Sequence, residues 1–258
     1  MSDKITPGLA GQVALITGAS RGIGAATARH LARSGARLVL TARREAALDS
    51  LVGEIREAGG EAIAVAGDVR HAKALSDAVA AASRQFGRLD ALVNNAGVIE
   101  PIGRLADTDA DQWRKAVEIN LLGVYHGLHA ALPVMQAQGR GTIVNLSSGA
   151  ATKTLEGWSA YCATKAAVLS LTRNAHAEYG EHGITVVGLS PGTVATDMQT
   201  TIRDSGINPV SRLPADAHIP ADWPARAIGF LCTPAGREFA GEDFSIKTDR
   251  GRRLVGLD

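Results

Sequence analysis

Tyr161 and Lys165 lie four apart in Ala160–Tyr179, a stretch of helical composition. That spacing sets a phenol and an ammonium on one helix face. A phenol beside a cation can hold or release a proton, because the cation favours the phenolate. Asn145-Leu146-Ser147-Ser148 precedes them at the end of an apolar run and adds two hydroxyls. The pair alone is common enough to arise by chance. It gains weight from its place after the fifth of six strand-like runs.

A second group of residues suits phosphate. The first apolar run leads directly into Thr17-Gly18-Ala19-Ser20-Arg21-Gly22-Ile23-Gly24. Glycines at this spacing permit a tight turn and a close approach of backbone to a pyrophosphate, and the helix that follows offers free N–H groups. A site for NAD wants a carboxylate about 20 residues on, to bind the ribose 2′-hydroxyl. This chain has Leu40-Thr41-Ala42-Arg43-Arg44 there. Guanidinium groups match phosphate oxygens, so Arg43 and Arg44, with Arg21 inside the turn, predict NADP(H). The bland reading of Arg43 and Arg44 is a solvated helix start.

These groups need a scaffold, and the chain alternates strand and helix. Val13–Thr17, Arg37–Ala42, Glu61–Ala66, Leu89–Asn94, Gly141–Ser147 and Thr185–Ser190 are near-continuous apolar runs. Such runs suit parallel strands buried on both faces. Ile23–Ser34, Glu45–Ala58, His71–Phe86, Asp109–Gln138 and Ala160–Tyr179 read as helices, with Gly35, Gly59 and Gly180 as their C-terminal glycines. The expected architecture is a single-domain α/β fold: a doubly wound, Rossmann-like parallel sheet with helices on both faces and a ligand crevice at the carboxyl ends of its strands. Residues 193–223, with three prolines, read as one long irregular segment.

Composition narrows the function classes. Apolar residues are 45% and charged residues 21% of the 258, which excludes a disordered or fibrous chain. A net charge of +1 gives no bulk field toward nucleic acid or an anionic membrane. No apolar run approaches the ~20 residues of a membrane span, and residues 1–10 lack the layout of a signal peptide. Cys162 and Cys232 are the only cysteines, so a disulfide framework is excluded and a cytoplasmic location is expected. His126 and His129 lack a nearby third ligand and read as a helix-surface pair, so no metal is expected.

Gly18-x3-Gly22-x-Gly24, Asn94-Asn95-Ala96-Gly97, Asn120, Ser148, Tyr161-x3-Lys165 and Pro191-Gly192 stand in the order and spacing of the short-chain dehydrogenase/reductase family. The resemblance covers roughly residues 10–232, and the motifs are jointly specific. It implies that Tyr161 is the general acid/base and that Ser148, thirteen residues earlier, holds the substrate oxygen. It implies further that Lys165 binds the nicotinamide ribose and that the Asn120 backbone supports a proton-relaying water. Lowering a phenol from pKa 10 to neutrality takes about 4 kcal/mol. An ammonium about 5 Å away supplies roughly 3 kcal/mol, so Lys165 is expected to acidify Tyr161. The family pattern also implies cofactor contacts from Asp68 and Val69, from Asn94, Ala96 and Gly97, and from Pro191, Gly192, Val194 and Thr196.

The same resemblance makes residues 193–223 a lid over substrate. Ile99, Leu155, Trp158, Met198 and Ile202 are expected to line an apolar pocket, with Trp158 and Met198 touching substrate. The string Gly157-Trp158-x2-Tyr161-Cys162 also resembles the sepiapterin and benzil reductase branch. The leading expectation is an NADP(H)-dependent carbonyl reductase or secondary-alcohol dehydrogenase, with a 3-oxoacyl thioester or a dicarbonyl as alternative substrates. A non-catalytic NADP-binding sensor is the alternative from another class. Family members associate through the two long helices, which implies a homo-oligomer, a tetramer or a dimer. The C-terminus departs from the family's Asp-Gly-Gly ending: Gly241-Glu242-Asp243-Phe244-Ser245-Ile246-Lys247 alternates like a strand and runs into a basic tail.

Overall fold

A computed structural model describes residues 5–257. Among these, seven parallel strands form one sheet: β1 (Val13–Thr17), β2 (Arg37–Ala42), β3 (Glu61–Ala66), β4 (Ala91–Asn94), β5 (Gly141–Leu146), β6 (Ile184–Ser190) and β7 (Asp243–Ser245). Their order is β3-β2-β1-β4-β5-β6-β7. Every residue of β1 and β6 is buried, as continuous apolar runs require when helices cover both faces. The winding reverses between β1 and β4, and the strands' carboxyl ends part there to leave a crevice.

The helices are α1 (Gly22–Arg33), α2 (Glu45–Glu57), α3 (Ala72–Phe86), α4 (Ala110–Val117), α5 (Gly123–Gln138), α6 (Ser159–Tyr179), α7 (Asp197–Ser205), α8 (Asp222–Leu231) and α9 (Asp249–Leu254). One face of the sheet packs Leu31, Leu48 and Ile228 of α1, α2 and α8 against Ile16, Leu38 and Leu40. The other packs Val79, Leu128 and Val168 of α3, α5 and α6 against Val13, Leu15 and Ile143. The doubly wound architecture is therefore as the sequence implies, with strand and helix ends shifted by a residue or two.

Three details differ. The long helix expected over Asp109–Gln138 is divided by a π-helical turn at Glu118–Leu122. There the Asn120 amide is fully buried; it accepts from the Val98 N–H at 2.8 Å and donates to the Val98 carbonyl at 2.9 Å. Satisfying those groups pulls the residue inward and widens the helix by one residue per turn. Gly180 stays right-handed and the chain continues through a short 3-10 turn, so the left-handed stop falls on Gly183 (φ +78°). Finally, residues 193–223 are not irregular. They hold α7, which places Met198 and Ile202 on one face and ends at left-handed Gly206. Hydrogen bonds from Ala195 N to Ile219 O and from Ile219 N to Thr193 O pin the base of this segment.

Candidate functional site

A cleft of about 900 Å³ opens along the carboxyl ends of the strands. Its first half is built by the glycine turn. Gly18 is left-handed (φ +64°), and a Cβ there would come within 2.9 Å of the Ala96 Cα. Gly24 faces inward, where a Cβ would meet the Gly18 carbonyl oxygen at 2.4 Å. Asn95 ties the turns after β1 and β4 together: its Nδ2 donates to Thr17 O at 2.8 Å, and its N–H donates to Thr17 Oγ1 at 3.0 Å. α1 starts without a side-chain cap, so its first N–H groups are left open for an anion. Bare backbone, an uncapped helix start and the absence of Cβ atoms fit the pyrophosphate of a dinucleotide.

Arg43 and Arg44 line the cleft where β2 ends. Arg21 lines it too, but its Nη1 donates to Asp197 of α7 at 2.9 Å, and both side chains are exposed. Asp68 lies past β3. Burial pushes its carboxyl up, but side-chain and backbone hydrogen bonds from Arg70, with the charges of Arg70 and Arg43, hold it below its usual value.

The second half carries the titratable groups. Ser148, at the end of β5, accepts from Ala150 N–H at 3.1 Å. Tyr161 and Lys165 project from the first two turns of α6. The Tyr161 ring sits edge-on to Trp158, centroids 5.7 Å apart, and remains partly exposed to the cleft. Lys165 is buried and donates to the Leu146 carbonyl at 2.5 Å, with its Nζ 5.6 Å from the Tyr161 ring centroid.

The electrostatics correct one expectation. Burial pushes the Tyr161 phenol up from its ordinary value, while the Ser148 hydroxyl works in the opposite direction. The charge of Lys165, held on the Leu146 carbonyl, does not overcome this burial. Burial lowers Lys165 to about 8, opposed by the charge of Asp243.

Beyond Tyr161 lies a small apolar cluster of Ile99, Ala150, Trp158 and Ile202, with Leu155 and Met198 against it. These are the residues expected to line a substrate pocket. Gly18, Ser20, Arg21, Gly22, Ile23, Arg43, Arg44, Asp68, Val69, Ala96, Gly97, Ser148, Trp158, Tyr161, Lys165, Pro191, Gly192, Val194, Thr196 and Met198 all line the one cleft.

Three expected residues stand behind it. Gly24 packs the turn. Asn94 is buried and donates to Asn145 Oδ1 at 2.9 Å, so its neighbour Asn95 faces the cleft instead. Asn120 supports the Val98 backbone. Ser147 lines the cleft beside Ser148, and Ser190, Asp243 and Lys247 line it without having been foreseen. For Asp243 the available signal was a carboxylate at the head of a strand-like run.

The family described as short chain dehydrogenase matches residues 12–206. A 3-oxoacyl-[acyl-carrier-protein] reductase of Synechocystis sp. is 36% identical over 240 residues, covering 92% of this chain and 96% of its own. A cis-4-hydroxycyclohexanecarboxylate dehydrogenase of Sinomonas cyclohexanicum is 38% identical over 243 residues, covering 91% and 94%. An NAD+-bound xylitol dehydrogenase superposes with a TM-score of 0.86 at 27% identity, covering 93% of this chain and 98% of its own.

Proposed function

The chain belongs to the short-chain dehydrogenase family, and on that premise we propose that it interconverts a ketone and a secondary alcohol using NADP(H). One observation carries the reading: the Ser148 hydroxyl, the Tyr161 phenol and the Lys165 ammonium line the same cleft as the glycine turn. A nicotinamide held there supplies or accepts the hydride. Ser148 hydrogen-bonds the substrate oxygen and holds it beside Tyr161. Tyr161 gives that oxygen its proton during reduction and takes it back during oxidation. Lys165 binds the cofactor ribose and offsets the phenolate's charge. The Asn120 turn supports proton resupply to Lys165.

Preference for NADP(H) is supported by Arg43 and Arg44 at the end of β2 and by Arg70, which donates to both oxygens of Asp68. An NAD+-bound relative shares the fold, so the proposed preference rests on these residues and not on the fold. Asp68, Val69, Ala96 and Gly97 flank the adenosine half; Pro191, Gly192, Val194 and Thr196 flank the nicotinamide half. Trp158 and Met198 contact a neutral, largely apolar substrate, with the 193–223 segment as its lid. The protein acts as a cytoplasmic homo-oligomer. Among the described residues, no helix is long and apolar enough to cross a membrane.

The test is turnover of NADPH and NADH against a panel of ketones, diketones and oxoacyl thioesters. The reading expects NADPH oxidation with at least one class and weaker use of NADH. Tight NADPH binding with no turnover across the panel would favour a sensor.

A further inference from the structure

Asp243 heads β7, the edge strand that pairs with β6 through Gly188↔Asp243 and Ser190↔Ser245. Its Oδ2 accepts from the Ser190 hydroxyl at 2.7 Å. Its Oδ1 is buried and has no partner among the described residues. The carboxylate leans inward across β6 over Gly188, where a Cβ would meet Oδ1 at 2.9 Å. Any other residue at 188 would push it aside. On the far side of Gly188 lies β5, which ends in Leu146, the carbonyl that receives the Lys165 ammonium. The next residue, Ser147, has a buried hydroxyl that likewise lacks a partner in the described structure. Three neighbouring strands thus bring Leu146, Ser147, Ser190 and Asp243 to the cleft that Lys165 also lines, and two of their polar groups are unspent.

A buried oxygen left without a partner is costly, and a buried ammonium without a counter-charge is costlier still. Placing the two in one cavity offsets both. We infer that Asp243 is a positioning residue for the reaction: its charge, seated through Ser190, keeps the buried Lys165 in its ammonium form.

The groups facing Asp243 agree with this. Burial pushes the carboxyl up, while the Ser190 hydrogen bond, the nearby Ser147 hydroxyl and the charges of Arg173 and Lys165 on α6 act against burial. On the same helix, His176 packs against Gly241, two residues before Asp243, and the Tyr161 ring centroid lies 5.6 Å from the Lys165 Nζ. Among these, Asp243 is the acidic group that acts on Lys165.

The consequence for turnover rests on the carbonyl-reductase reading, whereas the ionisation itself can be read without it. Lysine carrying a 13C label at Cε, with the Lys165 signal assigned by its loss in Lys165→Met, reports the ammonium's titration directly. In the unaltered protein Lys165 should titrate near 8. In Asp243→Asn it should titrate about one unit lower, the scale expected when one nearby charge is removed. Asp243→Glu should recover part of the shift. If Asp243→Asn does not fold, Gly188→Ala should lower the titration in the same direction by displacing the carboxylate. A Lys165 midpoint unchanged in whichever of these variants folds would overturn the inference. In kinetics, the alkaline limb of kcat should move to lower pH in Asp243→Asn with little change in KM. If the unaltered protein turns over no ketone while the titration still shifts, the reductase reading fails and the pairing stands.

Discussion

Lys165 sets the pH window of the site. Burial holds its ammonium near 8, so the charge that offsets a phenolate is present below that pH and lost above it. Reduction should therefore fall as pH rises through about 8, read as kcat/KM for the ketone under saturating NADPH; a rate that stays flat to pH 10 would contradict the assignment. Arg43 and Arg44 make a second residue-scale claim. Losing one charge-assisted contact costs about 1.5–3 kcal/mol, roughly 10- to 150-fold. Arg43→Ala should weaken NADPH by that factor and leave NADH nearly unchanged, as measured by fluorescence titration of both.

At the scale of elements, the glycine turn and α1 depend on contacts too close for any side chain. Gly24→Ala would drive a methyl into the Gly18 carbonyl, so it should lower Tm and abolish dinucleotide binding together. On the same helix, His30 is buried, shares a 2.8 Å hydrogen bond with Thr6 Oγ1, and is held near 4, chiefly by burial. A lowered histidine binds its proton in the unfolded chain first, so stability is lost as pH falls from 6.5 toward 4. The loss is up to about 3 kcal/mol. It should shrink in His30→Gln, as followed by urea unfolding at pH 7 and pH 5.

The strands and major helices were legible because apolar runs and glycine stops are local signals. So was the apolar pocket, since Trp158, Met198 and Ile202 come from segments already placed beside the cleft. The π turn at Asn120 was not legible, because it answers to the Val98 backbone, 22 residues away. Helix α7 was hidden by the prolines that follow it. The choice between Asn94 and Asn95 depends on which way β4 ends. Asp243 was invisible as a site residue because only the bare backbone of Gly188 lets it reach across a neighbouring strand.

For the whole molecule, the arrangement of layers decides what is left exposed. Leu122 and Tyr125 lie at the junction of the π turn and α5, 40% and 47% exposed, and Leu105 precedes α4 at 71%. Large apolar groups this open suit an interface between copies. Leu122→Glu combined with Tyr125→Glu should reduce the mass found by light scattering; an unchanged mass would place the interface elsewhere. Helix α7 and the glycine turn also meet at this scale, through the Arg21–Asp197 pair at the cleft. Both groups are largely exposed, so the pair is worth little in stability and can open for a ligand.

In the proposed reaction Tyr161 is the group that exchanges a proton with substrate. The most direct measurement is single-turnover oxidation of bound NADPH by a reactive ketone in the unaltered protein and in Tyr161→Phe, alongside the NADPH dissociation constant of each. The rate should be at least about 100-fold lower in the variant, with cofactor affinity unchanged. A Tyr161→Phe protein that oxidises NADPH within a few-fold of the unaltered rate would contradict that role.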